Sequence, residues 1–599
     1  MAKPVSTSTS ASSSASSSAS PDVDVAIVGG GVSGIYSGWR LLTAKPGESK
    51  HKARKVVVFE GSDRIGGRLL SARPPGFSHR TTCEIGGMRY VSSQTLVRSL
   101  IENVLKLPRY QQVVYNPDTI VYLRGQRLRF SQVQDTALLP YHLDWAEAQY
   151  VAQNDPSGLI PWAISKILPG VNQFTGAALD KYLREAQIDG TPLYEHGFWN
   201  LLARTLSPDA YVIAKTMIGY DCLGSNANAV DLIKEIYDFT PDVKYYLMND
   251  GYEAVPWTLQ QQFEAAGGRV ESGTWLAGFT QTTLADGSTG VQLHFRNGRR
   301  PLTARAIILA MPRRSLELLD REGPVLDPAR APHVVHLLNA VRPIPLYKLF
   351  LAYEYPWWNA VAAASTRPLQ GRSLTDIPAR QVYYWPVDPQ ASTPPTTGPA
   401  LLMAYNDASN VGFWDGLSGA PADRLHAPHG AAAAQHFRKV PPSVRMFESR
   451  PRLAAATTGR TSSADRLHKN WTDHRAPHQM VMEMHRQIAQ MHDIQDAPSP
   501  VDAAYMDWSV DPFGGGVHFW NRGYKSWDVL ERMTKPVDDF PCYVCGEAYS
   551  TNQTWVEGAL QTAEIVLQKH FGLPKPSWIT PNPMAKAPAV KLVSGSRRK

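Results

Sequence analysis

Apolar residues along this chain gather into short β-branched runs separated by longer stretches with helical spacing. The first run, DVDVAIVGG from Asp22 to Gly30, reads as a buried parallel strand, because a strand covered on both faces has no polar positions to alternate. From Val32 to Leu42 the residues Ile35, Trp39 and Leu42 recur on one helical face. After the polar stretch AKPGESKHKAR comes KVVVFE at 55–60, a second buried strand, so the three segments predict a βαβ unit. Another buried strand, RAIILAMP, is expected within 299–319. Patterns such as FWNLLARTL and DAYVIAKTMI predict a mainly helical insertion over 101–246. The runs YKLFLAYEY, RQVYYWPV and ALLMAYN, the last two divided by the loop ASTPPTTGPA, predict an antiparallel sheet within a second domain at 335–499. The run YVCGEAYSTNQTWVEGALQTAEIVLQKHF reads as strand, loop and amphipathic helix, and returns the chain to the first domain over 500–573.

With 599 residues the chain is too long for one ordinary domain, and 43% hydrophobic with 19% charged residues is a globular balance. No stretch reaches the roughly 18 apolar residues of a membrane span. Lys3 is followed by a Ser/Thr/Ala run to Ser20 with no apolar core, which is read as a disordered tail and not a secretory signal. A soluble, cytoplasmic protein is expected, with a second tail at 574–599. The net charge of +8 raises nucleic acid as a partner, but residues 421–480 alone carry ten Lys/Arg against four Asp/Glu. Runs such as GAAAAQHFRK mark that segment as a solvated surface insertion, so neither nucleic acid nor membrane is expected as a partner. Cys542 and Cys545 form a lone C-x-x-C, read as two small residues in a buried strand; no metal site is expected.

Gly29, Gly31 and Gly34 form G-x-G-x-x-G at the strand-to-helix turn, with the required strand and helix on either side. Gly29 permits the tight turn, Gly31 admits a pyrophosphate to the backbone, and Gly34 lets helix and strand pack closely. The helix N-terminus at Val32 and Ser33 then faces the phosphates with free N–H groups. Glu60, followed by Gly61, ends the second strand where a carboxylate accepts hydrogen bonds from ribose hydroxyls. In Arg64-Ile-Gly-Gly-Arg68 the pair Gly66–Gly67 allows a second close approach, and Arg68 can neutralise pyrophosphate. No second such glycine motif occurs, so electron transfer between FAD and NAD(P)H is not expected. The fold class is therefore α/β: a discontinuous Rossmann-like domain (21–100, 247–334, 500–573), a substrate domain of antiparallel sheet and helices, and a helical insertion.

VAIVGGGVSGIYSG, VVVFEGSDRIGGR, EIGGMRY, GYEAVP, AIILAMP, YKLFLAYEYPWW and CGEAYSTNQTWVEGAL, in this order and at these separations, resemble the flavin-containing amine oxidase family from Asp22 to about Leu573. The resemblance implies an extended FAD with Gly546 and Glu547 at its ribityl–pyrophosphate region, and Trp555 and Val556 beside the flavin ring. Gly86, Gly87 and Met88 would bring the backbone up to the flavin. Lys348 matches the family lysine that holds a water against flavin N5. Monoamine oxidases carry a flavin-bonding cysteine after a glycine-rich stretch; here DPFGGGVHFW has Val517, so FAD is expected to be non-covalent.

Arg89, next after Met88, points to a substrate carboxylate, because a buried guanidinium needs an anion and its fork fits a carboxylate bidentately. An arginine at this place resembles the L-amino-acid oxidases more than the amine or polyamine oxidases. The strand DIPARQVYYWP resembles the L-amino-acid oxidase strand that supplies a second carboxylate contact; the resemblance implies Tyr384, with Tyr383 as the fallback, since alternation lets only one of the two face the site. Trp520, Trp527 and Trp555 are either walls of the pocket or core. Asp221 in MIGYDCLGSN either selects basic side chains or is structural. No general base is assigned; His196 and His518 are candidates. The expected activity is oxidation of L-amino acids with dioxygen to 2-oxo acid, ammonia and peroxide, by a homo-oligomer of two or more subunits. A decarboxylating L-amino-acid 2-monooxygenase, an amine or polyamine oxidase, and a partner-binding member of the fold are the alternatives.

Overall fold

The computed structural model describes residues 20–44, 55–221, 226–238, 243–296, 298–364, 368–389, 391, 394–419, 445–448 and 463–580. β1 (Val23–Val28), α1 (Val32–Thr43) and β2 (Val56–Phe59) form the expected βαβ unit, with β1 parallel to β2 in the register Val25↔Val56 to Val28↔Phe59. Strand Leu302–Leu309 lies parallel on the other side of β1, and Cys542–Val544 runs parallel beside it in turn. Arg269–Glu271 extends the far edge next to β2, and the hairpin of Leu276–Thr283 and Thr289–Phe295 adds an antiparallel margin. Ala26, Ile27 and Val58 are fully enclosed, which is why these strands carry no polar positions. Cys542 and Cys545 are free and buried, and burial pushes the Cys545 thiol up to about 12.

The second sheet has seven strands in the order Asp502–Asp507, Leu346–Tyr353, Ala400–Asp407, Gln381–Trp385, Gly371–Thr375, Ile120–Leu123 and Gln126–Arg129. It is antiparallel except where Gly371–Thr375 meets Ile120–Leu123. Residues 120–129, within the stretch expected as a mainly helical and substrate-domain insertion, pair into this sheet, and so does Asp502–Asp507, expected in the first domain. The helices of the insertion lie between Trp145 and Asp238, and their apolar faces share one core with the sheet, through residues such as Leu201, Ile213 and Leu232 with Phe350 and Met403.

Two surface assignments are corrected. Of the basic segment, 421–444 and 449–462 lie outside the described residues, but helix Ser463–Asp473 turns one face into the core: Trp471 is fully buried, Asn470 Nδ2 donates to Ser71 O at 2.8 Å, and Arg466 pairs with Glu253 at 2.7 Å. The charge count averaged over the whole segment hid this inward face. The tail expected from 574 begins as packed chain, with Arg40 Nη2 donating to Pro574 O at 2.8 Å and Thr580 N to Ser99 Oγ at 3.0 Å. The N-terminal tail lies outside the described residues up to 19. Among the described residues no helix is long and apolar enough to cross a membrane.

Candidate functional site

One continuous cleft of about 1240 Å³ runs from the β1–α1 turn to the second sheet. At its first end the glycines act as their spacing implies, but for different reasons. Gly29 has φ +109°, and a Cβ there would stand 2.4 Å from Ala310 O. A Cβ on Gly34 would stand 1.9 Å from Gly29 O, so Gly34 serves packing and does not line the cleft. On Gly31 a Cβ would meet nothing nearer than Gly67 Cα at 3.9 Å, so the space in front of it is free for a ligand. No side chain caps α1 and its first turn holds no acid, which leaves the N–H groups near Val32 and Ser33 for a phosphate.

Glu60 is oriented by Gly30 N at 2.7 Å and Ser62 N at 2.8 Å, with Gly61 beside it packed tightly against Trp275. Arg64 is half-buried among backbone carbonyls, reaching Gly67 O at 2.5 Å and Ile65 O and Leu69 O at 3.2 Å, and so braces the Gly66–Gly67 turn. Arg68, expected to face pyrophosphate alone, is bound to Glu547 at 2.9 Å and to Gly516 O at 2.9 Å while still lining the cleft. Glu547 also accepts from Thr554 N at 2.8 Å and from both the backbone N–H and Nδ1 of His518, at 3.0 and 2.8 Å. Desolvation pushes the Glu547 carboxyl up, yet Arg68 and His518 hold it down at about 2. Gly546, Trp555 and Val556 line the same wall. This cradle, open where an added Cβ would meet no protein atom and bordered by uncapped N–H groups, fits an extended dinucleotide.

The far end of the cleft is built on the second sheet. Pairing aligns Lys348 with Tyr405 and Tyr405 with Gln381 in one row, and Phe350, Met403, Tyr383 and Arg372 in the next. Lys348 is buried, donating to Glu84 O at 3.2 Å and to Gly86 O, with its Nζ 4.9 Å from the Tyr405 ring centre. Burial lowers the Lys348 pKa, the buried Glu84 carboxyl opposes that, and Arg89 lowers it further. The backbone of Gly86 is locked against Arg68 and Leu70, where a Cβ would stand 2.3 Å from Arg68 O; Gly87, against Leu69, and Met88 also line the cleft.

Arg89 is 7% exposed and immediately precedes the edge strand Tyr90–Val91 of a small three-stranded sheet. The other strands, Tyr245–Met248 and Arg109–Gln112, place Tyr245 and Gln112 around it. Arg89 donates to Gln112 Oε1 at 2.9 Å and Tyr220 Oη at 3.1 Å, and its guanidinium lies 4.3 Å from the Tyr245 ring centre. Among the described residues no carboxylate pairs with it. Desolvation lowers its pKa, but Tyr383, Tyr220 and Tyr245 outweigh that and raise it, so it remains a buried cation.

Tyr384 is corrected as a substrate contact, and Asp221, Trp520 and Trp527 take the structural one of their two alternatives. Tyr384 faces away from the cleft, bonded to Ser373 Oγ and His492 Nε2 at 2.8 Å each. The fallback Tyr383 faces Arg89, with its ring centre 5.9 Å from the guanidinium and its hydroxyl 3.4 Å from that of Tyr220. Asp221 is held by Arg380 at 2.9 Å and by Asn410, and its backbone N–H donates to Asp407; it anchors the loop that presents Tyr220. Trp520 is enclosed, with Nε1 donating to Ser550 O at 3.0 Å, because its strand Val517–Trp520 pairs with Val341–Ile344 under the first domain. Trp527 packs on Tyr194 and Arg184 away from the cleft, so Trp555 alone of the three lines it. His518 is fully buried on Glu547, and neither it nor His196 reaches the cleft.

Sequence reasoning missed Tyr220, Tyr245, Arg372 and Glu235, all of which line the cleft. Arg372 carried a signal, a charge inside the otherwise buried strand GRSLT; the others carried none. Glu235, on helix Ala229–Asp238, lines the cleft, and burial together with Asp238 pushes its carboxyl up to about 8.

A glycine-lined dinucleotide cleft that opens onto a tyrosine-walled chamber over a buried lysine defines a flavin-dependent oxidoreductase. The flavin containing amine oxidoreductase family matches residues 32–424, and the chain belongs to it. Aplysianin-A of Aplysia kurodai is 26% identical over 576 residues, covering 92% of this chain and 90% of that protein. Achacin of Lissachatina fulica is 24% identical over 578 residues, covering 92% and 93%. L-amino acid oxidase Bs29 of Bothriechis schlegelii is 24% identical over 397 residues, covering 66% and 70%. A putrescine oxidase structure with bound putrescine superposes with TM-score 0.57 at 15% identity over 91% of this chain and 98% of that one. Cyclohexylamine oxidase from Brevibacterium oxydans IH-35A gives 0.55 at 19% identity over 92% and 99%. At those identities the likeness to the two structures is one of fold.

Proposed function

We propose that this chain is an L-amino-acid oxidase with non-covalent FAD. The observation that carries the reading is Arg89, a buried guanidinium on the cleft wall with only neutral partners among the described residues. A desolvated cation left without an anion is costly, and a substrate carboxylate relieves that cost. Val517 lines the cleft and none of the described cysteines does, which supports a non-covalent cofactor.

When bound, FAD supplies the two-electron acceptor for the substrate Cα–H bond and passes those electrons to dioxygen. Arg89 holds the carboxylate by its fork, and the Tyr220 hydroxyl sits within reach of the same group. Fixing the carboxylate at one end restricts the orientations open to the reacting hydrogen. Lys348, by donating to Gly86 O, holds the Gly86–Gly87 backbone that lines the cleft. The resulting imino acid is hydrolysed by water to a 2-oxo acid and ammonia, and dioxygen leaves as hydrogen peroxide.

The test is a survey of the common L-amino acids and their decarboxylated amines with the flavin-loaded protein, measuring peroxide, ammonia and organic product. Peroxide with 2-oxo acid from amino acids is expected. An amide product identifies the monooxygenase reaction, and preference for the amines overturns the substrate class.

A further inference from the structure

A second guanidinium shares the chamber. Arg372 is 4% exposed, lines the cleft, and pairs across strands with Tyr383. Its contacts are neutral: Gln381 Oε1 at 2.6 Å, Tyr115 Oη at 3.3 Å and Ile218 O at 3.4 Å. Its Nε is buried without a hydrogen-bond partner. No carboxylate among the described residues pairs with it. A single α-carboxylate brings one negative charge to two buried guanidinium charges, so one positive charge stays uncompensated.

The two arginines are joined through tyrosine hydroxyls. Arg89 reaches Tyr220 Oη at 3.1 Å, Tyr220 Oη lies 3.4 Å from Tyr383 Oη, and Tyr383 shares Gln381 Oε1 with Arg372. Two hydroxyls between two cations exceed the span of one carboxylate and suit two carboxylates on a short carbon chain. We infer that this chamber selects L-amino acids with an acidic side chain, Arg89 taking the α-carboxylate and Arg372 the side-chain carboxylate. The inference rests on the amino-acid oxidase reading. One further feature agrees with it. Desolvation would raise the Tyr383 hydroxyl pKa, but Arg89 and Arg372 bring it below its ordinary value, as expected of a pocket short of negative charge.

The experiment compares isosteric substrates: L-glutamate against L-glutamine and L-aspartate against L-asparagine, with L-leucine and L-lysine as controls. Wild-type kcat/KM should favour each acid over its amide by about 100-fold, the scale of losing one partner of a buried charge pair. In Arg372→Met that preference should collapse to near parity while activity on the amides persists. Independently of any variant, glutarate should raise the melting temperature of the wild-type holoenzyme more than butyrate does at equal concentration. Equal use of acid and amide, preference for leucine or lysine, equal protection by the two anions, or an Arg372→Met loss shared by all amino acids would each overturn the inference and leave the oxidase reading intact. Turnover of amines with no amino acid used would remove both.

Discussion

Replacing Arg89 by methionine tests the link between a buried charge and the substrate class. The apolar stem of methionine keeps contact with Tyr245, which the guanidinium now faces at 4.3 Å. What is removed is the charge and two donors, leaving Gln112 Oε1 and Tyr220 Oη without them. For the empty chamber this is a small change, because the cost of a buried unpaired cation disappears along with its two neutral hydrogen bonds, each worth about 1 kcal/mol net. The melting temperature and flavin spectrum should therefore stay near wild type. For an L-amino acid the loss is one partner of a desolvated charge-assisted pair, about 2–5 kcal/mol. At about 1.4 kcal/mol per decade, kcat/KM should fall by roughly two to three orders of magnitude. Arg89→Lys should fall in the same range, since it keeps the charge and loses the planar fork. The assay is initial-rate peroxide production from the best amino acid and from its decarboxylated amine. Activity on the amine should be low and indifferent to the substitution. An amine preferred by wild type and unaffected in Arg89→Met would refute the reasoning.

Three other outcomes follow from the same geometry. Gly31→Val should leave a folded protein that no longer retains flavin, because an added Cβ meets no protein atom closer than 3.9 Å, whereas Gly34→Val should fail to fold, with Gly29 O only 1.9 Å from the new Cβ; circular dichroism and flavin content separate the two. Tyr384→Phe should cost about 1 kcal/mol of stability by denaturant titration with unchanged kinetics, while Tyr383→Phe should lower kcat/KM about tenfold by loosening Tyr220; the reverse pattern would return the substrate contact to Tyr384. Glu547 has a folded-state pKa depressed from 4.5 to about 2, so its stabilisation is full above about pH 4.5 and is lost as the pH falls toward 2; melting curves should show Glu547→Gln far less stable than wild type at pH 7 and closer to it at pH 3.

Much of this molecule is written locally. The βαβ unit is legible because strand burial, helix periodicity and the glycines at 29, 31 and 34 are properties of one short segment: φ at Gly29 and the missing Cβ at Gly34 follow from the turn itself. Arg89 is equally legible, standing directly after the Gly86–Gly87 turn that carries it into the cleft. Local pattern could not choose between Tyr383 and Tyr384, since one residue of register reverses the face, and that register is set by pairing with Gly371–Thr375 and Ala400–Asp407. Nor could it reveal that Asp221 is taken by Arg380, that Trp520 is capped by Ser550, or that Trp471 turns a basic stretch into core, because each depends on a partner brought from elsewhere in the chain. Whether a charge is a site or a strut depends on what stands opposite it. Arg68 and Arg380 have carboxylates, and Arg89 and Arg372 have none among the described residues. Burial and pairing are properties of the folded ensemble of segments, so only the tertiary structure could separate the two kinds of arginine.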